Sequence, residues 1–272
     1  MPVAPLPLLV ITPTRGDSPW LAETVASVAA LPLECRHILV ATASSVSALA
    51  ARFPGVTVMA EPGGGMYTAI NAGLAVAGEW DAFTYLNDDD LLLAGFSAVA
   101  ATLAERPGQP VFAYGRVRLI DGEGRRLGAI PVSPWPELNR DLYAQRLEPV
   151  YQQGTLVSRA AWEQHGGFDP AFRLCGDSEF LARLCVRGVP AVRVSGEVAA
   201  FRLHRGQLTK NRPAMIEERA RVDEKLGLRA ASLTARHHWA RLVFRAANLP
   251  VYAGRIMRHG FVSFDELLER GG

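Results

Sequence analysis

The sequence is poor in cysteine and has no long hydrophobic run. Its three cysteines, Cys35, Cys175 and Cys185, are an odd number and lack the spacing of a metal-binding motif. They predict a reducing, cytoplasmic setting, because disulfide-bonded proteins are mostly secreted. The longest apolar stretch, residues 91–104, is shorter than the roughly 18 residues that mark a transmembrane helix. No basic residue precedes the apolar run at the N-terminus, which argues against a signal peptide.

The chain has little net charge, but its acidic and basic residues are unevenly distributed. The formal charge of the 272 residues is +2. Residues 202–272 contain 14 Lys or Arg and 7 Asp or Glu, which gives +7, whereas residues 1–201 contain 15 and 20, which gives −5. The change predicts a boundary near residue 202. A basic tail favours an acidic partner, such as phospholipid headgroups or nucleic acid, and the alternative is a solvated helical face.

Short apolar runs alternate with helical patterns in the first half of the chain. Four strands are predicted, over residues 6–12, 36–41, 55–61 and 80–87. Helical spacing separates them, and this alternation predicts parallel βαβ units. From about residue 110 the pattern changes to a hairpin and a mixture of strands and helices. We therefore predict an α/β fold with a mostly parallel sheet, helices on both faces, a mixed second half and a helical C-terminal appendage.

Three consecutive aspartates follow the fourth predicted strand, in the stretch YLNDDD. Asp88, Asp89 and Asp90 repel one another, and ionised carboxylates resist burial unless a cation neutralises them. Ligands of open α/β sheets bind at the carboxyl ends of parallel strands, and Mg²⁺ is held there by one or two carboxylates plus substrate phosphates. The triplet thus predicts a metal–diphosphate site. The alternative is an aspartate-rich N-cap for a helix over residues 91–105, with Asp90 at the helix dipole.

A second acidic pair, Asp177 and Glu179, lies at a predicted helix start. One such carboxylate can act as a general base that takes a proton from an attacking hydroxyl. The alternative is that both acids only compensate the positive end of the helix dipole.

The order and spacing of four stretches resemble those of the family 2 glycosyltransferases, in the branch that modifies cell-surface polysaccharides. The stretches are VITPTRG at residues 10–16, the run over 60–90 that ends in NDDD, the run over 152–184 that contains GGFD, and FRLHRGQLTK at 201–210. The resemblance covers roughly residues 6–210.

This resemblance implies a GT-A fold, which is a Rossmann-like nucleotide-diphospho-sugar transferase fold. The transferase domain would span residues 1–210, with a nucleotide-binding half at about 1–110 and an acceptor half at about 111–210. Residues 211–272 would form a basic helical extension. The resemblance also implies a Mn²⁺ or Mg²⁺ ion that stabilises the departing nucleoside diphosphate, and inversion of the anomeric centre by direct displacement.

Roles for individual positions follow from the resemblance. The donor-binding positions are Thr12, Pro13, Arg15, Ala41, Glu61, Met66, Tyr67, Asn71, Asn87, Asp88 and Asp89. The acceptor-side positions are Gln153, Gly167, Phe168, Asp169 and Glu179. Asp177 falls at the position of the catalytic base. The metal positions are Asp88, Asp89 and Asp90, and His204 is a further candidate, with a surface histidine as the alternative. Arg205 and Lys210, near His204, are candidates for phosphate contacts.

The chain departs from the family at three acidic positions. Ala41 stands where the family has an aspartate that contacts the base, and Gly63 and Thr68 replace two further acids. The candidates to take over their roles are Ser44, Ser45 and Glu61. These losses favour, as an alternative, a non-catalytic nucleotide- or sugar-binding module of the same fold. A sugar-phosphate nucleotidyltransferase is less favoured, because residues 12–20 lack its glycine-rich, basic loop.

The C-terminal stretch over residues 232–261 predicts an amphipathic helix. Its apolar face contains Trp239, Leu242, Val243, Ala246 and Leu249. The pattern favours packing on the chain's own domain or in a homodimer, and the alternative is peripheral contact with a membrane surface.

Taken together, the sequence predicts a metal-dependent, inverting, hexosyltransferase-like glycosyltransferase. Its partners would be a nucleotide-diphospho-sugar donor and a glycan or lipid-linked acceptor, and we expect no nucleic-acid partner.

Overall fold

The computed structural model describes residues 7–204, 206–207, 212–228, 233–261 and 266. The strands are β1 (Leu8–Thr14), β2 (Cys35–Ala41), β3 (Thr57–Ala60), β4 (Ala82–Tyr85), β5 (Leu91–Leu92), β6 (Phe112–Ile120), β7 (Arg126–Ala129), β8 (Thr155–Ser158) and β9 (Ala191–Arg202). The helices are α1 (Leu21–Ala29), α2 (Val46–Arg52), α3 (Met66–Val76), α4 (Phe96–Ala104), α5 (Asn139–Tyr143), α6 (Arg159–His165), α7 (Gly176–Val186), α8 (Arg212–Leu226), α9 (Ala235–Ala247) and α10 (Leu249–His259).

All of these strands join one sheet in the order β3-β2-β1-β4-β8-β6-β9-β5, and β7 pairs with β6 beside this path. The four strands from β3 to β4 are mutually parallel. Strand β8 is antiparallel to both of its neighbours, whereas β6 and β9 are parallel to each other. The prediction of a parallel half followed by a mixed half is therefore confirmed.

Strand β1 is buried on both faces of the sheet. Leu8 and Val10 pack in the cluster that includes α4, whereas Leu9 and Ile11 pack in the cluster that includes α3 and α7. Successive residues of a strand point to opposite faces, so a central strand needs apolar residues at every position. This accounts for the continuous apolar run in the sequence.

The prediction of a helix over residues 91–105 is wrong in its start. Residues 91–92 form β5, which pairs with β9, and α4 begins only afterwards. The backbone at Gly95 approaches β9 so closely that a Cβ there would lie 2.4 Å from the carbonyl oxygen of Glu197. Asp90 therefore precedes a strand, and the N-cap explanation of the aspartate triplet is wrong.

The three C-terminal helices lie against the mixed half. Helix α8 contacts α7, α9 contacts α5, and α10 contacts β7. Packing of α9 on its own domain is present, and Val243 of the predicted face takes part in it. The rest of the packed face differs from the prediction: Ala240 and Phe244 pack on Leu138 and Leu142, whereas Trp239 and Leu242 are exposed. Among the described residues, no helix is long and apolar enough to cross a membrane.

Candidate active site

The carboxyl ends of β1 and β4 meet at Asp88. Thr14, the last residue of β1, donates its hydroxyl to Asp88 Oδ2 at 2.5 Å, and Ser18 donates to the Asp88 carbonyl oxygen at 2.8 Å. Burial raises the pKa of Asp88 to about 6; the charges of Asp89 and Asp17 act in the same direction, and the bond from Thr14 opposes them. A carboxylate whose charge is disfavoured in this way gains from a nearby cation.

Asp89 has one carboxylate oxygen with a partner and one without. Oδ2 lies 2.7 Å from Nε2 of His204, whose ring packs on Trp20 with 4.4 Å between ring centroids. Oδ1 is buried and has no hydrogen-bond partner within the described part of the chain. A buried oxygen without a partner costs free energy, and a bound cation would remove that cost.

Asp90 is turned away from this opening. Its side chain is fully buried and accepts hydrogen bonds from the Arg202 N–H at 2.9 Å, Gln153 Nε2 at 3.2 Å and Asn87 Nδ2 at 3.3 Å. Three donors occupy the carboxylate, so we withdraw Asp90 from the predicted metal ligands. Gln153 and Asn87 hold the aspartate segment in place through these hydrogen bonds. We therefore withdraw the predicted contact of Asn87 with the sugar donor and that of Gln153 with the acceptor.

Arg202, in β9, is a site residue that the sequence analysis missed. The guanidinium has 0% exposure; it donates to the Asp89 carbonyl oxygen at 2.9 Å and pairs with Glu23 at 2.6 Å. A third bond, at 3.1 Å, reaches the Gly122 carbonyl oxygen. An arginine inside the apolar run VAAFRL was the signal for it, because a buried guanidinium must have several acceptors. Arg202 thus fixes the backbone of the aspartate segment.

The described residues contain no group of three or more His, Cys, Asp or Glu side chains arranged to hold a metal ion. Asp88 and Asp89 nevertheless fit an open site of one or two carboxylates, in which phosphate oxygens supply the remaining ligands. The unpartnered Oδ1 of Asp89 is the observation that supports this fit.

The loops after β1 and β2 are tied together at the edge of the site. The Arg15 carbonyl oxygen accepts from Thr42 Oγ1 at 3.1 Å and from Ser45 Oγ at 2.8 Å, while the Arg15 side chain is exposed. The carbonyl oxygen of the buried Ala41 accepts from the Glu61 N–H at 2.7 Å. The Ser45 hydroxyl is therefore occupied, and the half-buried Glu61 remains the candidate acid beside Ala41.

The Thr12 side chain contacts the neighbouring strand β2 and does not face the cleft. Its hydroxyl lies 2.9 Å from Nε2 of His37, and both residues are buried. Burial lowers the pKa of His37 to about 4, so this imidazole is neutral at physiological pH. We withdraw the Thr12 side chain as a donor contact, whereas Pro13 lies half-buried beside it at the end of β1.

A glycine-rich loop leads into α3. Gly63, Gly64 and Gly65 have φ values of 83°, 89° and 102°, a region that residues with a Cβ rarely adopt. The aspartate expected at Gly63 is thus replaced by a residue that this backbone requires. The loop places the half-buried Met66 and the buried Tyr67 in the first turn of α3.

Asp177, in the first turn of α7, faces Tyr67. The Tyr67 hydroxyl donates to Asp177 Oδ1 at 3.0 Å, and the Ser178 N–H donates to the same oxygen at 2.8 Å. Burial raises the pKa of Asp177 to about 6, and the charge of Glu148 raises it further. A general base is most effective when its pKa lies near the working pH.

Glu148 and Arg219 are two more residues that the sequence analysis missed. Ser178 Oγ donates to Glu148 Oε1 at 2.6 Å, and Arg219 of α8 forms an ion pair with the same oxygen. No local pattern marks them, because they come next to Asp177 only through the fold.

The turn at residues 166–169 is built into the core beside α3. The Asn71 side chain donates to the Phe168 carbonyl oxygen at 2.7 Å and accepts from the Phe168 N–H at 3.1 Å. Gly167 lies against Trp162, where a Cβ would come 2.6 Å from the ring. Asn71, Gly167 and Phe168 therefore position the site, and we withdraw their substrate contacts.

Glu179 and Asp169 are held by the C-terminal extension. Glu179 is buried and pairs with Arg183 and with Lys225, each at 2.9 Å. Lys225 also pairs with Asp169 at 2.7 Å. We withdraw Glu179 from the acceptor side, because its carboxylate is enclosed by two cations.

Tyr85, the last residue of β4, links the two acidic groups. Burial raises its pKa, and Asp177 and Asp90 both act in the same direction. The Tyr85 ring also packs on Phe168, with 5.4 Å between ring centroids, and Phe168 stacks on Tyr67, whose hydroxyl donates to Asp177. Asp177 and the aspartate segment that follows Tyr85 therefore lie at the same end of the sheet. Arg205 and Lys210 lie outside the described residues.

Sequence comparison matches the first part of the chain to a family. Residues 9–165 match the family model described as Glycosyl transferase family 2. Two uncharacterized glycosyltransferases, from two strains of Mycobacterium tuberculosis, are each 31% identical to this chain over 183 residues, which is 64% of this chain and 67% of each relative.

Solved structures share the fold. Residues 1–349 of S. aureus TarS, in complex with UDP-GlcNAc, have a TM-score of 0.64 at 14% identity, over 93% of this chain and 79% of that chain. The mannosyltransferase PcManGT from Pyrobaculum calidifontis, in complex with GDP-Man and Mn²⁺, has a TM-score of 0.58 at 15% identity, over 99% of this chain and 80% of that chain. The predicted fold class is confirmed.

Proposed function

The chain belongs to glycosyl transferase family 2, and on that premise we propose that it moves a sugar from a nucleotide-diphospho-sugar to a hydroxyl of a glycan or lipid-linked acceptor. The observation that supports the proposal is that Asp88, Asp89 and Asp177 lie at one end of the sheet, with Asp177 linked to the end of β4 through Tyr67, Phe168 and Tyr85. The donor binds to the parallel half, residues 1–110, and the acceptor to the mixed half, residues 111–210. Residues 211–272 are the extension that supports the acceptor half.

Asp88 and Asp89 are the proposed ligands of a Mn²⁺ or Mg²⁺ ion. When bound, the cation neutralises the diphosphate and makes it a better leaving group. His204 holds Oδ2 of Asp89, which leaves Oδ1 for the cation, and Thr14 orients Asp88. That PcManGT was solved with Mn²⁺ supports this assignment.

Asp177 is the proposed general base. Both of its described side-chain hydrogen bonds go to Oδ1, so Oδ2 is available to the acceptor hydroxyl. The hydroxyl loses its proton to Asp177 and attacks the anomeric carbon as the bond to the diphosphate breaks. Because the acceptor oxygen attacks from the side opposite the diphosphate in a single displacement, the anomeric centre is inverted.

A non-catalytic module of the same fold is the second candidate. The buried Ala41 favours it, because this position offers a nucleotide base no side-chain hydrogen bond. Such a module would bind a nucleotide-diphospho-sugar without transferring the sugar.

Donor consumption with a panel of nucleotide-diphospho-sugars separates the two candidates. Wild type should turn over at least one donor in Mn²⁺, and Asp177→Asn should lower kcat by about 10²-fold or more while donor affinity stays within a factor of a few. The exposed Glu105→Gln serves as the matched control and should behave as wild type. Donor binding by wild type without turnover, across the panel and with glycan acceptors, would favour the module.

A further inference from the structure

The outward side of the C-terminal extension is unusually apolar. The described part of the chain has ten exposed large apolar side chains, and seven of them lie within residues 233–261. These seven are Leu233, Trp239, Leu242, Leu249, Ile256, Met257 and Phe261. A concentration of exposed apolar side chains in one segment is typical of a surface that binds another molecule.

Helix α9 has two apolar faces. Ala240 and Phe244 pack on α5 and the turn before it, and this face attaches α9 to the domain. Trp239 and Leu242 are 54% and 60% exposed. At 100° per residue these two pairs lie on opposite sides of the helix. A helix that only packs on its own domain needs a single apolar stripe, so the second face is left for a different partner.

Helix α10 also exposes large apolar side chains. It is held against the sheet by His259, whose Nε2 lies 2.7 Å from the carbonyl oxygen of Leu127 in β7. Leu249 and Met257, two turns apart, are 62% and 81% exposed. Asn248, between the helices, is buried and donates to the Val132 carbonyl oxygen at 2.9 Å, so both helices are anchored to the body of the protein.

The charge around these faces has one sign. From Leu226 to Phe264 the sequence contains six arginines and no aspartate or glutamate. Arg241, Arg245 and Arg258 are exposed, and within the described residues they form no ion pair. The apolar faces are thus bordered by free positive charge.

We propose that α9 and α10 dock on an anionic lipid bilayer, with Trp239, Leu242 and Met257 in the interface and the arginines on lipid phosphates. Apolar faces that contain Trp and Leu and are bordered by arginine are typical of helices that lie in the plane of a membrane surface. A symmetric contact with a second copy would bring two basic faces together, and α9 and α10 contain no acidic residue that could neutralise the arginines. The docking is independent of glycosyl transfer, although it would suit a lipid-linked acceptor.

Flotation of the full chain with vesicles tests this proposal. Wild type should bind vesicles of phosphatidylcholine mixed with phosphatidylglycerol, bind phosphatidylcholine alone much less, and lose binding as salt is raised. The double variant Leu242→Glu/Met257→Glu should lower the partition coefficient by about tenfold or more. Arg241→Ala and Arg245→Ala should each lower it by about fivefold. Ile216→Glu, at a 68% exposed position on α8, is the matched control and should bind as wild type.

Three results would overturn the proposal: wild type that ignores anionic vesicles, binding that is equal with and without phosphatidylglycerol, or a double variant that binds as wild type. A dimer in light scattering that the double variant dissociates, without vesicle binding by wild type, would assign the faces to a second copy instead. All substituted positions are exposed, and an unchanged thermal midpoint verifies that each variant folds.

Discussion

Repulsion among three adjacent aspartates is relieved differently at each residue. Asp90 accepts hydrogen bonds from three N–H groups of the protein, and burial raises its pKa well above its usual range. Asp88 accepts one hydroxyl and keeps a pKa of about 6, and Asp89 keeps a buried oxygen without a partner in the described structure. Asp90 is fully buried and both of its carboxylate oxygens accept hydrogen bonds, so the proposed metal site uses Asp88 and Asp89.

The pH dependence of turnover is predicted from Asp177. Its pKa is raised to about 6, so it is protonated and inactive as a base below that pH, and kcat should rise as the pH increases through about 6. The charge of Glu148 contributes to the raised pKa, so Glu148→Gln should move the midpoint to lower pH.

A pH–rate profile at saturating donor and metal measures both midpoints. Glu163→Gln, an exposed substitution on α6, provides the control. A profile that is flat between pH 5 and pH 8, or a midpoint that Glu148→Gln leaves unchanged, contradicts the assigned base.

Residue roles were only partly predictable from the sequence. The position of the triplet after an apolar strand marked the site, because parallel strands deliver their ends to one edge. The different environments of the Asp89 and Asp90 side chains were not predictable, because their partners His204 and Arg202 are 115 and 112 residues away in sequence. Arg202 and Glu148 were missed for the same reason.

At the scale of elements, α8 holds the loop that leads into α7. The Glu218 carboxylate accepts from the backbone N–H groups of Arg173, Leu174 and Cys175 at 2.9, 2.8 and 2.9 Å. Asp177 lies two residues after Cys175, so the extension holds the segment that carries the proposed base.

Glu218→Gln should therefore reduce both stability and turnover. A neutral amide offers a single acceptor oxygen to these three donors, and we expect a loss of about 1–3 kcal/mol in the free energy of unfolding. Turnover should fall while donor affinity is kept, because the proposed donor site is on the parallel half. Urea unfolding and steady-state kinetics measure the two effects, with the exposed neighbour Glu217→Gln as the control. Equal behaviour of the two variants would contradict a positioning role for α8.

Substitutions on the two faces of α9 should differ in their effect on stability. Phe244 is buried against Leu138 and Leu142, so Phe244→Ala should lower the free energy of unfolding by about 3 kcal/mol. Trp239 is exposed, so Trp239→Ala should change it by less than about 0.5 kcal/mol. Urea unfolding of both variants measures this difference, and a large loss in Trp239→Ala would show that the outer face is covered within the chain.

The face that packs was not predictable from the periodicity of α9. Its apolar residues cover most of the helix circumference, and tertiary contacts with α5 decide which of them is buried. The sequence pattern identified the helix but assigned Trp239 and Leu242 to the wrong side.

At the scale of the whole molecule, the sheet joins two halves with different tasks. Four parallel strands deliver Thr14 and Asp88 to one edge, and the mixed half brings Asp177 and Gln153 beside them. The parallel half was predictable, because alternating strands and helices have few possible topologies. The order β8-β6-β9 was not, because it combines an antiparallel and a parallel pair between strands that are not consecutive in the chain.

The most direct test of the account is the Mn²⁺-dependent affinity for nucleoside diphosphates, measured by calorimetry. Wild type should bind at least one member of a panel of bases more tightly with Mn²⁺ than without it. Asp89→Asn should lose this gain, whereas the exposed Glu105→Gln should keep it. A gain that persists undiminished in Asp89→Asn would contradict the central claim that this aspartate holds a cation and its diphosphate.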